Sequence, residues 1–484
     1  MTNRTCIRAA QAFGFALTLT CSSLSAQEKV AKPDPNLEAA KRPLSILESA
    51  SWKDLFDGKD LTGWQGDTTG YIVKDGILVC QKGAKNLETE KEYSDFAFTF
   101  DFKLEASGNH GIGIRVPKGG HAAHDGMEIQ ILDHDGAKYS AEAQIDGKPR
   151  MLSWLKPWQV HGSIYGIYPA KKGYLKPVGE WNTQTIVAIE DHIMVILNGA
   201  VIVDAFLDDL TPMEEAFSGK DRRSGHITLS GHSDYVEFRN LKVAEFTPSP
   251  ALIEGGTDNT PPAGFDALFT GKDLTGWKGL AHKNAVERRA LAGDALKEAQ
   301  TKADESMNAH WRAQDGVLTY DGLGDSLCTA KDYGDFEFYC DWKIPAGADS
   351  GIYLRGTPQI QIWDPWKPQK KEETTPSTPQ EWVELYKTGV NLGSGGLWNN
   401  KRARNAPLVL ADKPAGEWNS FLIRMVGKKV TIWLNGKLVV DRTELENYWD
   451  KTGLVPLVRA DQIELQHHGS ELFFKNLYIR ELPY

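Results

Sequence analysis

Apolar and polar positions alternate in short runs along most of the chain, which predicts β-strands rather than helices. Residues 127–133 read MEIQILD, placing Met127, Ile129 and Ile131 on one face of a strand and Glu128, Gln130 and Leu132 on the other. The run returns at 358–364 as PQIQIWD, with Gln359, Gln361 and Trp363 on the second face. The preceding segments, GIGIR at 111–115 and GIYLR at 351–355, repeat the pattern. Ile112 and Ile114, or Ile352 and Leu354, take the core parity, which leaves Gly111, Gly113 and Arg115, or Gly351, Tyr353 and Arg355, on the other. Two consecutive strands thus present arginine, glutamate or glutamine, and aromatic side chains on one sheet face. That surface is more polar than a half-buried strand requires, and it fits a sugar-binding groove.

The echo extends over the whole chain. LFDGKDLTGW at 55–64 recurs as LFTGKDLTGW at 268–277, YSDFAFTFDFKL at 93–104 as YGDFEFYCDWKI at 333–344, and KPVGEWN at 176–182 as KPAGEWN at 413–419. VILNGAVIVD at 195–204 answers IWLNGKLVVD at 432–441, each with an Asn-Gly pair suited to a two-residue hairpin. VEFRNLKV at 236–243 answers LFFKNLYI at 472–479. An ordered series of this length indicates tandem duplication, with copies at 50–246 and 265–484 and a proline- and glycine-rich linker at 247–264. Short strands with frequent turn signals predict an all-β protein of two tandem sandwiches. The second copy alone carries an alanine-, lysine- and glutamate-rich insertion at 284–307, expected to be helical, and a charged, proline-rich one at 365–379, expected to be a surface loop. The two GEWN segments are expected to be structural turns leading into strands.

Composition narrows the function classes. With 41% hydrophobic and 25% charged residues the chain is globular, and no membrane span is expected. A net charge of −10 without a basic stripe argues against a nucleic-acid partner. Arg4 and Arg8, the apolar 12–19 and Leu24-Ser25-Ala26 predict an export signal over 1–26, hence a periplasmic or secreted protein, followed by a polar tether at 27–49. Thr18-Leu19-Thr20 before Cys21 is a poor lipidation context, so lipoprotein anchoring is not expected. Cys80, Cys328 and Cys340 then remain, and they read as buried thiols, a Cys328–Cys340 bridge being the alternative. No oligomeric state follows from these features.

Taken together, LF-x-GKDLTGW, the G-I-x-x-R strand, E/Q-I-Q-I-x-D, GSIYG, KP-x-GEWN, LNG and the closing F-R/K-N-L resemble the 3-keto-disaccharide hydrolase family, in each copy. The resemblance implies concanavalin A-like jelly-roll sandwiches and cleavage of glycosides oxidised at C3, by net hydrolysis or by elimination followed by hydration. A C3 ketone acidifies the C2 hydrogen, so the chemistry asks for a base near C2, a donor or cation at the keto oxygen and an acid for the leaving oxygen. Strand parity groups His232 with Thr228 and Ser230, and His468 with Glu464 and Gln466, making the two histidines candidate bases. Arg115 and Arg355 are candidates for polarising an oxygen. Glu128 is the carboxylate of its strand face, and Tyr165 of GSIYG, matched by Leu397 or Trp398, could donate a proton. Gln130, Asp133, His161, Gln359, Gln361, Trp363, Asp364, Trp398 and Gln466 are the candidate sugar contacts, although parity puts Asp133 and Asp364 off the groove unless the strand bulges.

Because Gln359 replaces Glu128, the first copy is the expected acid–base site, and Trp363 makes the second the expected sugar holder. No cofactor is expected. His121, His124 and Asp125, with Asp133, His134 and Asp135 nearby, are spaced more as a solvated loop than as a metal site. A non-catalytic, lectin-like pair of modules is the alternative. A retaining glucanase is disfavoured, since it needs two carboxylates about 5–5.5 Å apart and this face offers one.

Overall fold

The computed structural model describes Leu47 and residues 50–246 and 258–482, apart from 146–147, 213–214, 366–392, 451, 453–454 and 456. The expected export signal, nearly all of the tether, residues 247–257 of the linker and the loop at 366–379 lie outside the described residues. The protein is all-β, with two sandwiches of the same strand order. In the first, a large sheet runs Ala200–Phe206, His192–Leu197, Asn182–Ile189, Phe96–Leu104, Val236–Glu245, Ile77–Cys80, Tyr71–Lys74. A five-stranded sheet packs against it in the order Trp64–Gly66, Leu87–Thr89, His226–Ser230, Asn109–Val116, Met127–Leu132. The second sandwich repeats this with a five-stranded sheet of Trp277–Gly279, Leu327–Thr329, Ile463–Leu465, Asp349–Leu354, Thr357–Trp363. Alternation builds each core: Phe98, Phe100 and Phe102 from the large sheet meet Ile112, Ile114, Ile129 and Ile131 from the small one, all fully buried or nearly so.

The duplicated motifs are mostly scaffolding. Trp64 and Trp277 donate their indole N–H to the carbonyls of Leu55 and Leu268 at 2.7 and 2.6 Å, closing the turn between. Asn182 and Asn419, the last residues of GEWN, accept from Asn198 and Asn435 of the LNG hairpins at 2.9 and 2.8 Å. Both hairpin asparagines have positive φ, near +50°, a conformation asparagine tolerates. Trp181 is half-buried, with the Arg239 guanidinium 4.1 Å above its ring. The second copy's insertion is helical at Ala285–Ala290, capped by the Asn284 side chain, and at Gly293–His310. Cys80, Cys328 and Cys340 are free and buried.

The outward face of the first large sheet is also apolar. Ala97, Val187, Ile189, Met194, Ile196 and Ala244 pack with Val426 and Leu482 of the second domain. Beside this patch the strand Asn419–Val426 sends Arg424, with no exposed side-chain surface, between three carboxylates. Its Nη2 lies 2.8 Å from Asp95, its Nε 3.5 Å from Glu190 and its Nη1 3.7 Å from Glu337. Burial pushes Glu190 up to about 7, against the pull of Arg424. In return His192 of the first domain reaches Asp335 of the second at 3.5 Å. Replacing Arg424 by alanine strands buried acids, and should cost about 3–5 kcal/mol of unfolding free energy in chemical denaturation. A variant that melts like the parent would show that the two domains do not depend on this contact.

Candidate active site

The polar parity of the five-stranded sheet is the face turned away from the core. In the first domain it forms cross-strand rows: Gln65, Glu88, Thr228, Gly113 and Glu128 in one, Ser230, Gly111 and Gln130 in the next. These side chains are not an open surface. Glu88, Thr228, Ser230, Glu128 and Gln130 are all buried, and the helical turn Ala122–Asp125 and the segment Glu215–Asp221 pack over the Gly113 end of the strands Asn109–Val116 and Met127–Leu132. A Cβ on Gly113 would meet Ala122, and a Cβ on Gly111 would overlap the Glu128 carboxylate. The two glycines therefore make room for what lies above them.

At the Gly111 end the layer opens. Glu128 Oε1 lies 2.6 Å from His232 Nε2, with Glu128 3% and His232 33% exposed. Burial disfavours the imidazolium, but the hydrogen bond and charge of Glu128 and the charge of Asp234 outweigh it, so the His232 pKa is raised above its ordinary value. The Nδ1 of His232 has no protein partner among the described residues. Beneath, His110 faces the core with Nε2 3.3 Å from the Tyr71 hydroxyl; burial, and then the charge of His232, hold its pKa down to about 3. Gln130 Nε2 donates to Asn109 Oδ1 at 2.7 Å, leaving further amide groups of both residues for hydroxyls. Asp234 accepts from the Asn109 N–H at 3.0 Å and holds Lys138 at 3.6 Å, placing a cation at the same end.

The second domain has the same rows with other residues. Gln359 lies over Gly351 as Glu128 lies over Gly111, and its Nε2 donates to Gln466 Oε1 at 2.6 Å. Gln361 donates to Asp349 at 2.5 Å, and Asp349 Oδ2 stands 3.0 Å from His468 Nδ1. Burial raises the Asp349 pKa, with His468 and Gln361 pulling the other way. Trp363 meets Trp398 edge-on at 5.4 Å, and Trp398 is 58% exposed. Deeper in the sheet, burial pushes Glu464 up to about 8.

The structure thus brings together Glu128, Gln130 and His232, and separately Gln359, Gln361, Trp363, Trp398, Gln466 and His468. Several candidates fall elsewhere. Arg115 and Arg355 leave the groove face because alternation stops at them: Arg115 sits at a register shift of its strand and Arg355 is the first residue of the turn between Asp349–Leu354 and Thr357–Trp363, both with positive φ, +54° and +51°. Their guanidinium groups are buried against Asp95 and Asp335, and they donate to the carbonyls of Ser94 and Glu190, or Gly334 and Gly427. Asp133 and Asp364 lie just past their strands and accept from Ser107 and Gly347 N–H at 2.7 and 2.9 Å, fixing a turn. His161 is on the core side, stacked on Phe102 at 5.2 Å and taking the Leu132 N–H on Nδ1. Burial holds its pKa down to about 3. Tyr165 is tied to Glu128 through the backbone, but its ring packs on Phe217 and its hydroxyl accepts from Gln159. His121 and His124 stack on each other at 4.3 Å, and among the described residues no group of three or more acids, histidines or cysteines converges on a metal position.

Sequence reasoning missed Asn109 and Asp349. Each stands two residues before Gly111 or Gly351, hence on the same parity, so the signal was present. Adding a methyl at Gly111 should push Glu128 off His232. With burial unopposed, the His232 pKa should then fall below its parental value in an NMR titration of the Gly111→Ala protein. An unchanged titration would mean that Glu128 does not set it.

A family model described as a 3-keto-alpha-glucoside-1,2-lyase-like domain matches residues 51–244 and again 264–480. A 3-keto-disaccharide hydrolase from Bacteroides thetaiotaomicron is 23% identical over 255 residues, 45% of this chain and 87% of that protein. Among crystal structures, a candidate glycosyl hydrolase from Parabacteroides distasonis is 25% identical, covering 42% of this chain and 97% of its own, with a TM-score of 0.34. A laminarinase from Flavobacterium is 14% identical, covering 40% and 100%, with a TM-score of 0.27.

Proposed function

Since the chain belongs, through both halves, to the 3-keto-alpha-glucoside-1,2-lyase-like family, we propose that its first domain cleaves the glycosidic bond of 3-keto-glycosides by acid–base chemistry at His232. The observation that carries this is the 2.6 Å pairing of His232 Nε2 with a buried Glu128. A carboxylate on one imidazole nitrogen fixes the ring and its tautomer, so that the opposite nitrogen, Nδ1, can take a proton. From a 3-keto sugar, Nδ1 removes the C2 proton; the C–H electron pair becomes the C1–C2 double bond as the C1–O bond breaks. The departing oxygen takes up a proton and leaves as the alcohol, and water added across the new double bond completes net hydrolysis. The Gln130–Asn109 pair orients ring hydroxyls. Lys138, rather than the buried Arg115, is the cation on hand for the keto oxygen.

The pairing favours an enzyme over a lectin-like module, because a binding face needs no buried proton-transfer pair. Turnover of a 3-keto-disaccharide, followed by mass spectrometry, should fall by about 10²–10⁴ in His232→Ala. Binding of the unoxidised disaccharide without turnover of its 3-keto form would favour the lectin reading instead. The base must be deprotonated, so kcat/KM should rise with pH through the raised His232 pKa. In Glu128→Gln the loss of the carboxylate charge should move that rise to lower pH while reducing the plateau. A rise that stays in place would remove Glu128 from the mechanism.

A further inference from the structure

The second domain lacks Glu128, having Gln359 at that place, yet its groove face holds an acid paired with the matching histidine. Asp349 opens the strand Asp349–Leu354, at the position of Asn109, and is registered opposite Trp363. One oxygen accepts from Gln361 at 2.5 Å and the other stands 3.0 Å from His468 Nδ1. The carboxylate has moved to the neighbouring strand, and in doing so it grips the imidazole by its other nitrogen. Glu128 takes Nε2 of His232 and leaves Nδ1; Asp349 takes Nδ1 of His468 and leaves Nε2. Nε2 is the ring nitrogen farther from the backbone, and His468 is 54% exposed against 33% for His232, so the accepting atom stands farther toward solvent. The Trp363–Trp398 pair adjoins it. An exposed indole beside a polar groove is a stacking surface for a sugar ring.

We infer that the second domain is a second acid–base site, in which His468 Nε2 takes the C2 proton of a 3-keto-glycoside held on Trp398 and Asp349 orients the imidazole. This rests on the reading of the first domain as a site for 3-keto-glycosides. The electron flow is the same: the C2–H pair forms the C1–C2 double bond, the C1–O pair leaves with the alcohol oxygen, and that oxygen is protonated, with no change of oxidation state overall. Because the accepting nitrogens differ, the two grooves hold C2 at different depths and therefore prefer different glycosides.

The test uses the full chain and a panel of 3-keto-disaccharides, following product by mass spectrometry and loss of the C2 hydrogen by NMR in deuterated buffer. His232→Ala should leave residual turnover of at least one substrate. Adding His468→Ala or Asp349→Asn should cut that residue by at least about ten-fold, and Trp398→Ala should raise its KM with kcat little changed. Asp349→Asn keeps an oxygen for Gln361, so its melting curve should match the parent's. Residual turnover that ignores both changes overturns the inference and leaves the first-domain site standing. Turnover that survives His232→Ala intact and collapses with His468→Ala removes the first-domain site and leaves this one. A wild type inert on the whole panel overturns both.

Discussion

The contact on which the arrangement of the molecule depends is the exchange of buried charge between its two domains. Each copy uses the arginine of its G-I-x-x-R strand to hold an aspartate: Arg115 with Asp95, Arg355 with Asp335. Each of those aspartates then takes a cation or an imidazole from the other copy, Arg424 on Asp95 and His192 on Asp335. A buried arginine is tolerable only when acids surround it, and Arg424 has three within 4 Å. Around this centre further salt bridges across the contact are sorted by sign. Asp191, Asp204, Asp208 and Asp209 come from the first domain, and Lys428, Lys429, Arg442 and Arg459 from the second. His192 follows the same logic: burial opposes its charge, yet the hydrogen bond to Asp204 and the nearby carboxylate of Asp335 raise its pKa.

With that contact assigned to the strand-end arginines, the groove is left to shorter side chains. Its polar layer is set by what glycine permits. Gly111 lets Glu128 fold over the sheet, and Gly351 does the same for Gln359. The second copy fills the Gly113 position with Tyr353, whose hydroxyl lies 3.4 Å from Gln359. Duplication has therefore preserved the backbone frame, the GEWN–LNG asparagine lock and the histidine that follows the strands His226–Ser230 and Ile463–Leu465. It has altered which strand supplies the carboxylate.

Much of this was legible in the chain. Period-two alternation assigned the core face of residues 127–131 and 360–362 and grouped Glu128 with His232, although the strand His226–Ser230 ends two residues before the histidine. Alternation misassigned Arg115 because a register shift with a left-handed residue reverses the count, and Arg355 because the strand ends at Leu354 and Arg355 already belongs to the turn. It also gave no warning that the outward face of the large sheet is covered. The run TIVAI at 185–189, apolar at four consecutive positions, carried that signal, since a strand buried on both faces loses its alternation. The swapped carboxylate was hidden for another reason: comparing the copies position by position sets Glu128 against Gln359 and overlooks that Asp349, one strand over, reaches the same imidazole.

The sorting of charge across the domain contact bears on assembly. A surface that pairs with its own copy must be self-complementary, and here the partly exposed pairs that cross the contact take their acids from the first domain and their cations from the second. The pairing is heterologous and is satisfied within a single chain, with the Phe206 ring seated over Gly427, where any side chain would collide. The exchange it allows is reciprocal, the first domain of one molecule taking the second domain of another, so that any assembly built through this surface keeps equal numbers of the two.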